Sequence, residues 1–276
     1  MIIHSDWHIH SENSYDAINP ITTIGDNANA QGLRGFGITD HANLNNESFR
    51  KNIEDSAKNV KALQEKYPNM ILGVELTPIE LPLYEHLCKY GTKEGYAPAP
   101  GNDYRGYAIA YTKEELMALG MRYAVAAAHW SLIGPNAIDG DLDECLKAWH
   151  HQQMGLACDE RTTILAHPWY IGRALWYDDF DKVPRSMKLE LAAALKENGK
   201  FVECNSHFSY SAKATEKFRH QYSEFLRELF EMGIPITYGS DAHKTYGDGR
   251  PKVESYLIPA GFQDGDFSDL TEKDLW

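Results

Sequence analysis

The sequence predicts an α/β chain, with βα units arranged around a parallel sheet and the chemistry gathered at one rim. Three observations lead there. Seven short apolar runs along the chain each end in a histidine, an acid or an asparagine. Helix-length amphipathic segments separate these runs, the alternation expected of βα units. No low-complexity tract or Ser/Gly linker divides the 276 residues, so one barrel-sized domain spanning 1–276 is expected.

The first run, MIIHSDWHIH, carries His8-Ile9-His10. Successive strand residues face opposite ways, so the two imidazoles share a face about 7 Å apart along the strand, where they can chelate one ion. GFGIT then leads into Asp40-His41, MILGV into Glu75, YAVAAA into His129 and TILA into His167. KFVEC leads into Asn205, and IPITYGS into Asp241-Ala242-His243. If these runs are the strands of one barrel, all the polar ends meet at the rim where barrel enzymes keep their active sites.

The intervening segments read as helices. Residues 22–32 open on threonines and close on Gly32, a helix stop, and 46–66 place Phe49, Ile53, Val60 and Leu63 near helical spacing. Further helices are expected over 112–120, 141–158, 184–199 and 211–232. Residues 77–111 break the pattern. They are rich in proline, glycine and tyrosine, and read as a long loop or small insertion on the active-site side. Their tyrosines, Tyr84, Tyr90, Tyr96, Tyr104 and Tyr107, offer a lining for a small organic group.

Composition bounds the function. A net charge of −13 with no basic block argues against nucleic acid and anionic membrane as partners. Phosphorylated small molecules remain open, because bound divalent cations make a site locally positive. The four cysteines show no CxxC spacing and fit free thiols in a reducing compartment. The N-terminus lacks a signal-peptide pattern and no run reaches the roughly eighteen apolar residues of a membrane helix. A cytoplasmic protein is expected.

The strand-end residues mix imidazole nitrogen with carboxylate oxygen, a donor set suited to zinc, manganese or iron; an all-oxygen set would suit magnesium or calcium. Cys204 is the one cysteine at a strand end, so a thiolate zinc site is not expected.

On these stretches the chain resembles the polymerase and histidinol phosphatase (PHP) superfamily. The matching segments are DWHIHSENSYD at 6–16, GITDHAN at 37–43, GVE at 73–75, AAH at 127–129, AHP at 166–168, ECN at 203–205 and GSDAH at 239–243. The resemblance implies a distorted seven-stranded (β/α)7 TIM-like barrel with two or three divalent metals. It also implies a ligand set: His8, His10, Glu75 and Asp241 on one metal, with Glu75 bridging to a second held by His129 and His167. A third ion would take Asp16, His41 and His243; Asp16 is followed by Ala17 where the family's pattern has glycine. Asp40 is expected to orient a neighbouring imidazole, and Asn205 to hydrogen-bond near the metals.

Paired metals lower the pKa of a shared water, and the hydroxide attacks phosphorus. Asp241 and His243 are the expected catalytic groups, Asp241 as proton acceptor. Arg105, Arg173 and Arg250 are expected to meet phosphate from their loop positions, and His207 to contact substrate. The function expected is a metal-dependent phosphomonoesterase acting on a small-molecule phosphate. Two alternatives stand beside it. One is another hydrolase, acting on a phosphodiester, cyclic ester, lactone or amide; the other is a metal-binding module without turnover. Histidinol phosphate stands among the substrates the resemblance allows, although nothing in these residues recognises an imidazole side chain in particular.

Overall fold

The computed structural model describes residues 1–44, 49–91, 101–104, 106–129, 141–169 and 176–276, without the side chains of residues 102 and 104. The chain starts with β1 (Ser5–Ile9), α1 (Ile21–Ala30), β2 (Gly35–Ile38), β3 (His41–Asn43) and α2 (Phe49–Leu63). Next come β4 (Met70–Leu72), β5 (Val74–Thr77), β6 (Ile79–Glu80), α3 (Leu81–Tyr90), β7 (Asn102–Tyr104) and β8 (Tyr107–Ile109). The second half carries α4 (Lys113–Ala118), β9 (Ala124–Ala126), α5 (Leu142–Ala157), β10 (Ile164–Leu165) and α6 (Arg185–Glu197). It ends with β11 (Phe201–Asn205), α7 (Glu216–Glu231), β12 (Ile236–Gly239) and α8 (Arg250–Leu257).

The parallel sheets run in the orders β1-β2-β4 and β12-β11-β10-β9-β5-β3. They are one distorted barrel, because β2 bends at Thr39-Asp40 into β3, and β4 bends at Gly73 into β5. Backbone bonds from Gly73 N to Ile38 O (2.9 Å) and from Glu75 N to Asp40 O (3.2 Å) carry the pairing across both bends. The ring closes where Asp241 N donates to His8 O (2.7 Å) and His10 N to Ala242 O (3.2 Å). Counting each bent pair once, the strands number seven, the (β/α)7 TIM-like architecture expected. In β1 the register shifts between Asp6↔Phe36 and Ile9↔Ile38, a bulge-type irregularity in the strand that carries His8.

Among the described residues six helices form at the expected segments, whereas α3 and α8 (Arg250–Leu257) lie outside them. In α2 the buried residues are Phe49, Ile53, Ser56 and Val60, spaced along one face. Helix α1 ends before Gly32, whose φ of 68° is the left-handed turn that glycine adopts without strain. Low in the barrel, the Tyr123 hydroxyl donates to Trp7 O (2.8 Å). A Cβ on Gly37 would stand 1.6 Å from that hydroxyl, so the ring fits only because residue 37 has no side chain. Among the described residues no helix is long and apolar enough to cross a membrane.

Of the two readings of residues 77–111, a long loop or a small insertion, the described residues fit the insertion. They contain helix α3 and a three-stranded antiparallel sheet in the order β6-β8-β7. Leu83 and Leu87 of α3 are buried, so the leucines of LPLYEHLCKY form an apolar helical face that the surrounding prolines and glycines obscured. Three of the five tyrosines expected to line the site have described side chains, and these lie away from the strand-end cluster or in solvent. The Tyr84 hydroxyl accepts from Gly101 N (2.9 Å), the Tyr107 hydroxyl lies against Gly155 of α5, and Tyr90 is exposed. Tyr96, Arg105 and the side chain of Tyr104 lie outside the described residues.

Candidate metal centre

Nine polar side chains from the strands and the loops that follow them converge at the rim: His8, His10, Asp16, His41, Glu75, His129, His167, Asp241 and His243. Their spacing is that of ligands around ions. The Nε2 atoms of His8 and His10 are 3.1 Å apart, and they stand 3.3 and 3.2 Å from Glu75 Oε2. Asp241 Oδ1 is 3.2 Å from His10 Nε2 and 3.7 Å from His8 Nε2. On the other side of the same carboxylate, Glu75 Oε1 is 3.5 Å from His129 Nε2 and 3.8 Å from His167 Nε2. Nitrogen and oxygen ligands about 2.0–2.2 Å from a tetrahedral ion sit roughly 3.3–3.6 Å from one another.

A third group lies beside these. Asp16 Oδ2, His41 Nε2 and His243 Nε2 form a triangle with every edge 3.4 Å. His10 joins this group as well: ligand atoms of His10, His41 and His243 lie within 4.8 Å of one another. The three groups therefore overlap, at Glu75 and at His10. The donor set fits divalent metal. Both Glu75 oxygens are buried without a well-aligned hydrogen bond, although His41 Nδ1 lies 2.8 Å from Oε2, so the carboxylate's charge has to be met by the imidazoles and cations that face it. The neighbouring donors are imidazole and carboxylate, the set of zinc, manganese or iron. Cys204 belongs to the buried core instead, where burial pushes its thiol pKa up.

The rim is electrostatically tense. Burial favours protonated Glu75 and Asp241, yet the charges of His8 with His41, and of His8 with His10 and His243, hold the two carboxyls below the usual range. Burial disfavours imidazolium at His8, but Glu203, Asp241 and Glu75 outweigh it and raise its pKa well above the ordinary value. At His129 burial wins and lowers the pKa to about 3, leaving the neutral ring that coordination requires. Backbone strain coincides with the cluster: His167 and Asp241 have φ of 25° and 53°, in a region costing non-glycine residues on the order of 1–3 kcal/mol each.

One important residue escaped the sequence reading. Glu203, in β11, receives His8 Nδ1 at 2.6 Å through Oε1. Its Oε2 accepts from His167 N (2.7 Å) and Asn205 Nδ2 (3.1 Å). It thereby fixes one nitrogen of His8 so that the other faces the cluster. The signal was present in FVECN, because strand alternation puts Glu203 on the same face as Asn205. Gly239 makes room for it: a Cβ there would stand 1.9 Å from Glu203 Oε1 and 2.7 Å from His8 Cβ. Asn205 also donates to Asp241 Oδ2 (3.2 Å), beside the ligand groups.

Several expected roles change. Arg250 is buried, and its guanidinium is used by Asp248 (2.8 and 2.9 Å), Ile3 O (3.2 Å) and Gln31 O (3.0 Å). It braces the start of α8, with four of its five N–H donors engaged and the side chain buried. Asp40 orients no imidazole; it accepts from Ser11 N, Ser11 Oγ and Ser56 Oγ, each at 2.7 Å, and so fixes the turn after His10. Arg105 and Arg173 lie outside the described residues. His207 stands at the rim, its ring 5.7 Å from that of His243, and lines a cavity with Phe208. Away from the cluster, His4 meets Asp264 (2.6 Å) and His150 meets Glu190 (2.9 Å).

The PHP domain family matches residues 6–247. A protein of Acetivibrio thermocellus named "Probable phosphatase" is 37% identical over 86 residues, which are 31% of this chain and 30% of that relative. The chain therefore matches under a third of that relative's length. A solved structure of histidinol phosphate phosphatase from Lactococcus lactis, complexed with zinc, L-histidinol and phosphate, aligns with a TM-score of 0.69 at 17% identity. That alignment covers 99% of this chain and 98% of the other, a likeness of fold.

Proposed function

This chain belongs to the PHP domain family, and from that premise we propose that it is a metal-dependent phosphoesterase, a phosphomonoesterase acting on a small-molecule phosphate. One observation carries the reading: overlapping groups of ligand atoms share Glu75, at spacings that suit adjacent ions. The named relatives, a phosphatase and a protein bound to zinc and phosphate, point the same way.

In this proposal His8, His10, Glu75 and Asp241 hold one ion, and Glu75 with His129 and His167 holds the second. Asp16, His41 and His243 hold a third. Bound divalent cations of the zinc, manganese or iron class supply Lewis acidity for water and positive charge for phosphate. The protein's own part is orientation. Glu203 sets the His8 ring, the Thr77 hydroxyl meets His129 Nδ1 (2.8 Å), and Asp241 O meets His243 Nδ1 (2.9 Å). Asn205 holds Asp241 Oδ2, which leaves Oδ1 toward His10, and we assign Asp241 as the proton acceptor. His243 contributes by positioning through its fixed ring. His207, on the cavity side, contacts substrate. The four free cysteines suit a reducing, cytoplasmic setting.

The test is a panel assay on protein reconstituted separately with zinc, manganese and iron. The monoester p-nitrophenyl phosphate and several metabolite phosphates should turn over, while bis(p-nitrophenyl) phosphate should turn over far more slowly. A preference for the diester, or for a lactone or amide, would replace the monoesterase reading. Full metal content with no hydrolysis of any of these would favour a binding module.

A further inference from the structure

Beside the strand-end cluster opens a cavity of about 850 Å³ whose lining includes Asp16 and His243 of that cluster together with Ser206, His207, Phe208 and Lys244. We propose that Lys244 binds the phosphoryl group of the substrate from the protein side, and that this cavity receives the organic part of a small phosphomonoester. The proposal rests on the phosphatase reading above and names the group that completes its site.

The chain carries a net −13, and the rim itself holds the carboxylates of Asp16, Glu75, Glu203 and Asp241. A phosphate dianion approaching such a surface needs cationic partners in addition to metal ions. Arg250, placed nearby in sequence, is committed to Asp248 and two backbone carbonyls. Among the described residues lining the cavity, Lys244 is the one lysine or arginine.

Its placement is fixed although its side chain is exposed. His243, immediately before it, is anchored on both sides: its carbonyl accepts from Ile18 N (2.8 Å), and its Nδ1 meets Asp241 O (2.9 Å). The Lys244 backbone is therefore held one residue from the ligand cluster, and a four-carbon stem gives the ammonium its reach. The cavity falls within the size range of small-molecule pockets. Exposed Tyr15 and Ile18 border the same rim, with the Tyr15 ring 5.3 Å from His41, and offer apolar surface to an organic group.

The experiment uses the metal-loaded protein and Lys244→Met, with Lys244→Arg as the charge-keeping control. Metal content should not change, because Lys244 is no ligand. The Kd for inorganic phosphate, read by calorimetry, should rise roughly 10- to 100-fold in Lys244→Met, the loss expected for one charge-assisted hydrogen bond. The arginine variant should recover most of it. For p-nitrophenyl phosphate and for phosphoglycolate, whose leaving group carries a carboxylate, kcat/KM should fall by similar factors. An unchanged phosphate Kd would make Lys244 a solvated surface residue and overturn the proposal. A loss confined to phosphoglycolate would overturn it too, since the lysine would then read the leaving group. Failure of the wild type to hydrolyse either ester would refute the phosphatase reading, while the phosphate Kd comparison would still decide Lys244.

Discussion

Replacing Glu203 with glutamine tests whether the candidate centre depends on a residue that is not itself among the ligand groups. The carboxylate serves three donors: Oε1 takes His8 Nδ1 at 2.6 Å, and Oε2 takes His167 N at 2.7 Å and Asn205 Nδ2 at 3.1 Å. Glutamine has nearly the same shape but a single acceptor oxygen, so the contacts of one oxygen are lost and an NH₂ faces a donor. A hydrogen bond to a charged group contributes about 1.5–3 kcal/mol, and loss of such an outer partner typically weakens metal affinity by about 10- to 100-fold. The expected result is therefore a drop of about one to two orders of magnitude in affinity for the two ions that share Glu75. The group of Asp16, His41 and His243 makes no contact with Glu203 and should load as before. Competition against a chromophoric chelator gives the affinities, elemental analysis the stoichiometry, and far-ultraviolet circular dichroism the fold. Affinities within twofold of the wild type would refute the claim that Glu203 orients the ligands. Equal weakening at all the ions would refute its restriction to the pair.

Four further outcomes are expected. Glu75→Ala should lose most bound metal and nearly all hydrolysis while the barrel stays folded, and normal metal content in that variant would sink the shared-ligand assignment. Asp16→Ala or His243→Ala should lower stoichiometry by at most one ion, whereas His8→Ala should disturb the pair; equal losses in all three would mean one cooperative cluster. Gly239→Ala forces a Cβ to within 1.9 Å of Glu203 Oε1, so metal affinity and thermal stability should both fall, the latter by about 1–3 kcal/mol as for overpacking. A thermal midpoint and metal titration equal to wild type would count against the close approach drawn there. Burial raises the pKa values of Tyr123, Tyr210, Tyr222, Tyr238 and Tyr246 well above the ordinary value. The unfolded chain releases those protons near pH 10, so stability should be full below that pH and decline as pH rises toward the folded-state values. Tyrosinate absorbance appearing together with loss of circular dichroism would fit; independent titration of all five near pH 10 in a folded protein would not.

The strand-end residues of the candidate centre were legible in the sequence because strands impose a period of two and barrels align strand ends, whereas Asp16, seven residues past β1, came only from the family resemblance. His8 with His10, and the acids and imidazoles following the later apolar runs, needed only those two rules to be placed on one rim. Six helices were legible for a similar reason, as the buried face of α2 over Phe49, Ile53 and Val60 shows. Helix α3 was not, because the prolines and glycines around Leu83 and Leu87 masked a short apolar face. Glu203 was hidden inside an apolar run, where an acid reads as an interruption until the partner across the barrel is known. Proximity in sequence misled at Arg250 and Asp40, whose partners are Asp248 with backbone carbonyls and the serines 11 and 56. A local pattern determines which face a side chain takes, and that was enough to gather the strand-end residues. Which donor meets which acceptor is decided by strand register, by the β1 bulge and by the closeness that Gly239 permits, all of which exist only once distant segments have packed.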